Sequence, residues 1–172
     1  MTKTATCILA LMLAAQTGNR TVWAEGRAHK EHAELAKALS GANVSLGAGL
    51  SASASEGKPI SAKFEVEDGK LQLSVYTEKG EGFSEVIIDH QSGTVAKSEA
   101  ITESKDLAAA KAQSAAMAKG KVSLTEALAN AIAANSGFRA VSIVPAIKDG
   151  RPIAKITLVE GERWKTVIQK LD

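Results

Sequence analysis

The sequence predicts an α+β protein built from two copies of one unit, each a helix followed by an antiparallel meander of strands. The first observation is an internal repeat. Val44-Ser45-Leu46 returns as Val122-Ser123-Leu124, 78 residues on, and Leu50 returns as Leu128. Farther along the offset is 81: Asp68-Gly69-Lys70 returns as Asp149-Gly150-Arg151, Gly80-Glu81 as Gly161-Glu162, Phe83 as Trp164, and Val86-Ile87 as Val167-Ile168. A loop between the helical and strand parts absorbs the three-residue difference at little cost. The second observation is strict apolar–polar alternation after each helix. The third is Ser123-Leu124-Thr125-Glu126, a capping box ahead of an apolar helical face.

In chain order, residues 29–39 read as a first helix. Residues 46–56 read as a second, helical by the repeat alone, because Gly47, Gly49 and three serines together cost a few kcal/mol relative to alanine. Ile60, Ala62, Phe64 and Val66 then alternate with Ser61, Lys63, Glu65 and Glu67, which marks a strand with one wet face. Asp68-Gly69 supplies the positive-φ pair of a tight hairpin. Leu71, Leu73 and Val75 alternate again, Lys79-Gly80-Glu81-Gly82 turns the chain, and residues 83–89 form a third strand. An Ala-rich helix over 107–118 is introduced by Ser104 or Asp106. The capping box then starts a helix that places Leu124, Leu128, Ala131 and Ile132 on one face, and Gly137 stops it. Strands at 141–147, 153–159 and 163–171 complete the second copy. Each unit thus reads as a helix laid over a three- to four-stranded antiparallel sheet.

Composition and charge narrow the function. The 172 residues are 45% apolar and 23% charged, close to the average for folded chains. Aromatics reach only 3%, which leaves few rings to stack on bases, so no nucleic acid partner is expected. Residues 1–24 carry Lys3, then an apolar run over 5–15, then Thr21-Val22-Trp23-Ala24, the pattern of an export signal cleaved near Ala24. The apolar run is too short for a bilayer core that needs about 20 residues, so no permanent membrane anchor is expected. Of the 21 basic residues, two (Lys3 and Arg20) lie in this segment with no acid, so the remainder balances against 19 acidic residues. The sole cysteine, Cys7, also lies there, which removes thiol and disulfide chemistry from the rest of the chain. A periplasmic or secreted location follows as the expectation.

The order of elements, with Ile60-Ser61-Ala62-Lys63-Phe64-Glu65, Asp68-Gly69, Val75-Tyr76, Val86-Ile87-Ile88-Asp89 and the run Asp89-His90-Gln91-Ser92-Gly93-Thr94-Val95, resembles a PepSY domain. A second copy of the resemblance runs through 124–128, Asp149-Gly150 and 164–168. Together they cover residues 40–172 and rest on structural positions. Behind the signal at 1–24, the resemblance implies a first PepSY unit at 25–101 and a second at 102–172, each with a cystatin-like build. It implies a small secreted or periplasmic protein that binds another protein, inhibiting or regulating an envelope peptidase. No catalytic residue and no cofactor are attributed to that fold, so a non-enzyme is expected. Some periplasmic members of that family resemble cation-binding proteins in their acidic clusters, which makes calcium- or lanthanide-type cation binding by the sheet-face carboxylates the alternative. The second copy departs by ending at Asp172 without the Asp-x-x-x-Gly closing turn, so its last strand is expected to fray.

The chemistry-bearing residues are few. His29 and His32 share one helical face at a spacing that clips a divalent metal, although a solvated helix of mixed charge explains them more simply. A serine–histidine–acid triad would have to recruit His90 beside Asp89, and no Gly-x-Ser-x-Gly elbow is present. The candidate metal ligands are Glu65, Glu67, Asp68, Glu85 and Asp89, on the wet face and rim of the first sheet, since hard cations want several such oxygens. Lys63, Lys70 and Lys79 interleave with them, so a charge-balanced solvated face is the simpler reading. Phe83 and Trp164 are expected as core plugs, with an interface role as the alternative. An open sheet edge, which recognises an extended peptide through main-chain groups, is the remaining functional surface.

Overall fold

The computed structural model describes residues 22–172. The expected export segment therefore lies outside the described residues up to Thr21. Four helices and seven strands follow in the order α1 (Val22–Leu39), α2 (Leu46–Ala52), a 3-10 turn (Ser53–Ser55), β1 (Lys58–Glu67), β2 (Lys70–Lys79), β3 (Gly82–Ile88), β4 (Val95–Ala100), α3 (Ser104–Lys119), α4 (Leu124–Ala133), β5 (Arg139–Lys148), β6 (Arg151–Glu160) and β7 (Arg163–Lys170). The protein is α+β, and its strands form one open sheet in the order β4-β3-β2-β1-β5-β6-β7 with every pairing antiparallel.

Two separate sheets were expected, and a single one is present. The first strands of the two repeats, β1 and β5, pair with each other through Ala62↔Ile143 and Lys63↔Ser142. Their unpaired backbone groups would otherwise form two exposed edges. On either side of this junction the ladders recur residue for residue at the offset of 81. The hairpin Glu67↔Lys70 has its counterpart in Lys148↔Arg151, and Lys79↔Gly82 in Glu160↔Arg163. Even the irregularities match: the register slips at Ile60 in β1 and at Val141 in β5. Asp68 and Asp149 hold φ of 49° and 50°, followed by Gly69 and Gly150 at 73° and 77°, the positive-φ pair that a two-residue hairpin with native twist demands.

The helices repeat their caps as well. Ser45 Oγ accepts the Ala48 N–H and Ser123 Oγ accepts the Glu126 N–H, both at 3.1 Å, so each helix starts on a serine cap. Helix α2 is shorter than expected and closes in the 3-10 turn. Helix α4 ends three residues before the predicted stop at Gly137: Ala134 is the C-cap, and Asn135 Nδ2 donates to the Ala131 carbonyl.

Packing divides the sheet into two faces. Leu46 and Leu50 from α2, with Leu124, Leu128 and Ala131 from α4, bury against Phe64, Leu73, Val75, Ile143, Ile156 and Leu158. Leu35 and Leu39 of α1 join this core. On the other face lies a smaller cluster of Ile60, Tyr76, Phe83 and Ala110, extended by Ile101 and Leu107. Helix α3 therefore sits on the face that alternation marked as wet. Ile60, expected on the core side with Ala62, is turned to the α3 side by the slip in β1, because a bulge breaks the period of two.

Two long-range contacts lock this arrangement. The Arg139 guanidinium donates to the Leu39 carbonyl at 2.8 Å and the Val44 carbonyl at 2.9 Å, and lies 5.3 Å from the Phe64 ring centroid. It thereby ties the α1–α2 loop to the sheet and satisfies a carbonyl at the C-terminus of α1. At the other end, the Leu171 carbonyl accepts N–H groups from Lys121 and Val122 while its own N–H donates to Pro152. With Leu171 fully buried, the last strand is pinned, and the expected fraying is not found.

Gly49 shows why a weak helix sequence occupies the α2 position. A Cβ there would stand 2.6 Å from Leu73 Cδ2 and 3.2 Å from Leu73 Cγ, inside a close-packed core. At Gly47 a Cβ meets only Leu128 Cδ2 at 3.6 Å and Ser45 Oγ at 3.9 Å. Gly47→Ala is expected to stabilise by up to about 1 kcal/mol through helix propensity. Gly49→Ala is expected to destabilise by about 1–3 kcal/mol through overpacking. Urea denaturation of both variants checks this pair, and a Gly49→Ala protein as stable as the parent would refute the close approach.

Candidate functional site

Ladder pairing puts Ser61, Lys63, Glu65, Ser74 and Glu78 on the α3 side of the sheet, and α3 covers them. Its alanines let it approach closely, and its polar residues answer those beneath. Ser61 Oγ donates to Gln113 Oε1 at 2.8 Å, and Ser114 Oγ donates to Glu78 Oε1 at 2.8 Å. Nearer the start of the helix, Lys63 Nζ lies 2.6 Å from Glu65 Oε2, Ser74 Oγ donates to Glu65 Oε1 at 3.0 Å, and Gln72 Nε2 donates to Ser74 Oγ at 2.9 Å. This polar layer is mostly satisfied, as a buried network has to be.

Asp106 is its exception. The residue is 5% exposed and its Oδ1 has no hydrogen-bond partner. Burial pushes its carboxyl above the usual range, opposed by the charge of Lys63 and reinforced by the carboxylates of Glu103 and Glu65. Sequence reading offered Ser104 or Asp106 as the residue that introduces this helix. The N-cap is instead Glu103, and Asp106 occupies the first turn, turned inward. The tertiary placement of α3 decides this, and no local motif reports it.

The five proposed metal ligands are spread along the first sheet. Glu65 is engaged by Lys63 and Ser74, and Asp68 sits in the exposed β1–β2 turn. Glu67 stands opposite Lys70. Glu85 lies opposite Tyr76 and Glu99, four rungs along the strands from the Glu65–Gln72 rung, about 13 Å at strand rise. Asp89 closes the β3–β4 turn, where Oδ1 accepts N–H groups from Ser92 at 2.8 Å and Gln91 at 2.9 Å. Those backbone donors, Ser92 first, hold its carboxyl below the ordinary range. Among the described residues no group of three or more His, Cys, Asp or Glu is placed to hold a metal ion.

His29 is exposed on α1. His32 stacks on Trp164 with ring centroids 4.2 Å apart and an angle of 12° between planes. Trp164 is thus a half-buried flank of the main core, whereas Phe83 is buried in the α3-side cluster. The equivalent residues have taken different roles because α1 reaches only one of them. The His90 carbonyl accepts N–H groups from Asn43 and Val44, and its Nδ1 lies 3.2 Å from Gln91 Nε2. Ser92 Oγ lies 2.9 Å from Thr94 Oγ1, and the Ser92 side chain also hydrogen-bonds the Asp89 carboxylate.

A shallow cavity of about 290 Å³ opens between the start of β1 and the α3–α4 link, lined by Lys58, Pro59, Met117, Lys121, Leu124 and Thr125 among others, without carboxylate or imidazole. The sheet also presents two outer edges. The outer strand β4 is almost wholly exposed, and β7 exposes Arg163, Lys165, Thr166, Ile168 and Lys170. No helix among the described residues is long and apolar enough to cross a membrane. No protein-family model, curated protein or solved structure matches the chain.

Asp106 generates a prediction whose sign is fixed. A carboxyl whose folded pKa is raised binds its proton more tightly folded than unfolded, so its contribution falls as pH rises from the ordinary value of 3.8 through the raised one, then levels off. Asp106→Asn removes that decline. The variant is expected to exceed the parent in stability by about 1 kcal/mol at pH 7, with the gap closing below the ordinary aspartate value. Denaturant melts across pH measure the gap, and a variant less stable than the parent at pH 7 would reveal a partner for the carboxylate.

Proposed function

We propose that this chain is an exported, non-enzymatic tandem PepSY protein that binds another protein and restrains a peptidase of the cell envelope. Its two cystatin-like units span residues 25–101 and 102–172, behind a signal cleaved near Ala24. The observation that carries the reading is the duplicated hairpin: strand registers, positive-φ turns and bulges that coincide at one offset across the two halves. Such a scaffold presents antiparallel edges, and peptidases hold their substrates as extended strands, so an edge engages the same main-chain groups that a substrate would. The cation-binding alternative gains no support from the carboxylate geometry.

Two measurements test the reading. Exported protein should begin at Glu25 by intact mass, and a chain that keeps residues 1–24 in the envelope argues against processing. Purified residues 25–172 should slow cleavage of a peptide reporter by at least one member of a panel of envelope serine and metallopeptidases, without themselves being consumed. Undiminished activity across the panel at about 100 μM protein, far above a micromolar Kd, would overturn the peptidase assignment.

A further inference from the structure

The repeat supplies an internal standard for what a complete edge looks like. Strand β3 is covered by β4 through Ser84↔Ala100, Glu85↔Glu99, Val86↔Ser98, Ile87↔Lys97 and Ile88↔Val95. The β6–β7 ladder superposes on the β2–β3 ladder at the offset of 81, from Ala154↔Gln169 against Leu73↔Ile88 to Glu160↔Arg163 against Lys79↔Gly82. The outer edge of β7 is therefore the counterpart of the edge that β4 covers, and β7 is the last strand of the sheet.

Exposure follows the difference. Val86 is fully buried, whereas its counterpart Val167 is only half-buried. Ile87 is half-buried opposite Lys97, whereas its counterpart Ile168 is 47% exposed, the most exposed of the large apolar side chains described. Charge differs too. β4 carries Lys97 and Glu99, which bridge each other at 2.8 Å. β7 has no acid of its own: Arg163 pairs with Glu160 of β6, Lys165 donates to Asn135 Oδ1, and Lys170 completes the basic set. Lysines on an edge discourage indiscriminate strand pairing, and they favour an incoming chain of opposite charge.

We infer that the outer edge of β7 is a docking site for an extended acidic segment of another protein, which adds antiparallel as an eighth strand in the place that β4 takes on β3. The segment would pair with residues 165–169, set an apolar side chain over Ile168 on one face and bring a carboxylate to Lys165 on the other, because side chains alternate along the strand. The inference rests on the protein-binding reading and names the surface and the chemistry of the partner segment.

The test uses residues 25–172 labelled with nitrogen-15 and a capped octapeptide of alternating Glu and Val. The peptide is expected to shift the β7 amide resonances and to slow their hydrogen exchange. Lys165→Glu is expected to weaken binding at least about tenfold, ~1.4 kcal/mol, with an amide spectrum that keeps the parent fold. Ile168→Thr, which leaves the charge alone, is expected to weaken it as well, and Lys97→Glu on the opposite edge to leave it as in the parent. Shifts confined to β4, no shifts at millimolar peptide, or equal binding of a capped control octapeptide of alternating Lys and Val would overturn the proposal. So would a dimer formed through β7 without peptide, which would assign the edge to a second copy. If the charge-reversed variant still restrains a peptidase as the parent does, the site at β7 fails while the peptidase reading stands; octapeptide binding without peptidase restraint gives the reverse.

Discussion

The pairing of β1 with β5 is the constraint from which the rest of the architecture follows. Ala62 and Ile143 stand opposite each other and are equivalent positions of the repeat, so the two halves meet through the same strand in each. Within one chain this is the logic of an isologous interface, where a surface matches a second copy of itself. The contact converts two edges into sheet interior and leaves β4 and β7 as the outer strands. It also merges the apolar faces beneath α2 and α4, so Ala62, Ile143 and Ile156 belong to one core spanning both halves.

Helix α3 is the second structural device, and it depends on the first. The chain leaves the first half at β4 and enters the second at α4, on the opposite face of the sheet from α3. Helix α3 bridges that distance by lying across the polar face over β1, β5 and β6. A helix on a wet face is tolerable only if the polar groups it covers find partners. The Ser61–Gln113 and Ser114–Glu78 bonds supply them, and among the described residues Asp106 is the one place where a buried side-chain oxygen goes without.

Much of this was legible in the residues. The alternation of β1 and β2, the Asp-Gly turns, the Ser123 cap and the repeat are local signals, and local physics realises them as read. What escaped was set by tertiary contact. Ile60 follows the apolar alternation, yet a bulge turns it to the other face. Gly49 looks like a helix breaker and is the clearance that Leu73 requires. Arg139 carries no motif, although its guanidinium joins positions about a hundred residues apart in sequence. The candidate site was less legible still: carboxylates close in sequence lie on different rungs of the ladder, and Asp106 became notable only once α3 was placed over the sheet.

Native-state amide hydrogen exchange tests the shared central pairing most directly, because it reports the opening free energy of each strand separately. If β1 and β5 hold the two halves together, their amides exchange last, with one common free energy equal to that of global unfolding, and denaturant melts show a single transition. Strands β5 to β7 opening as a unit while β1 to β3 stay protected, with two resolved transitions, would contradict the account.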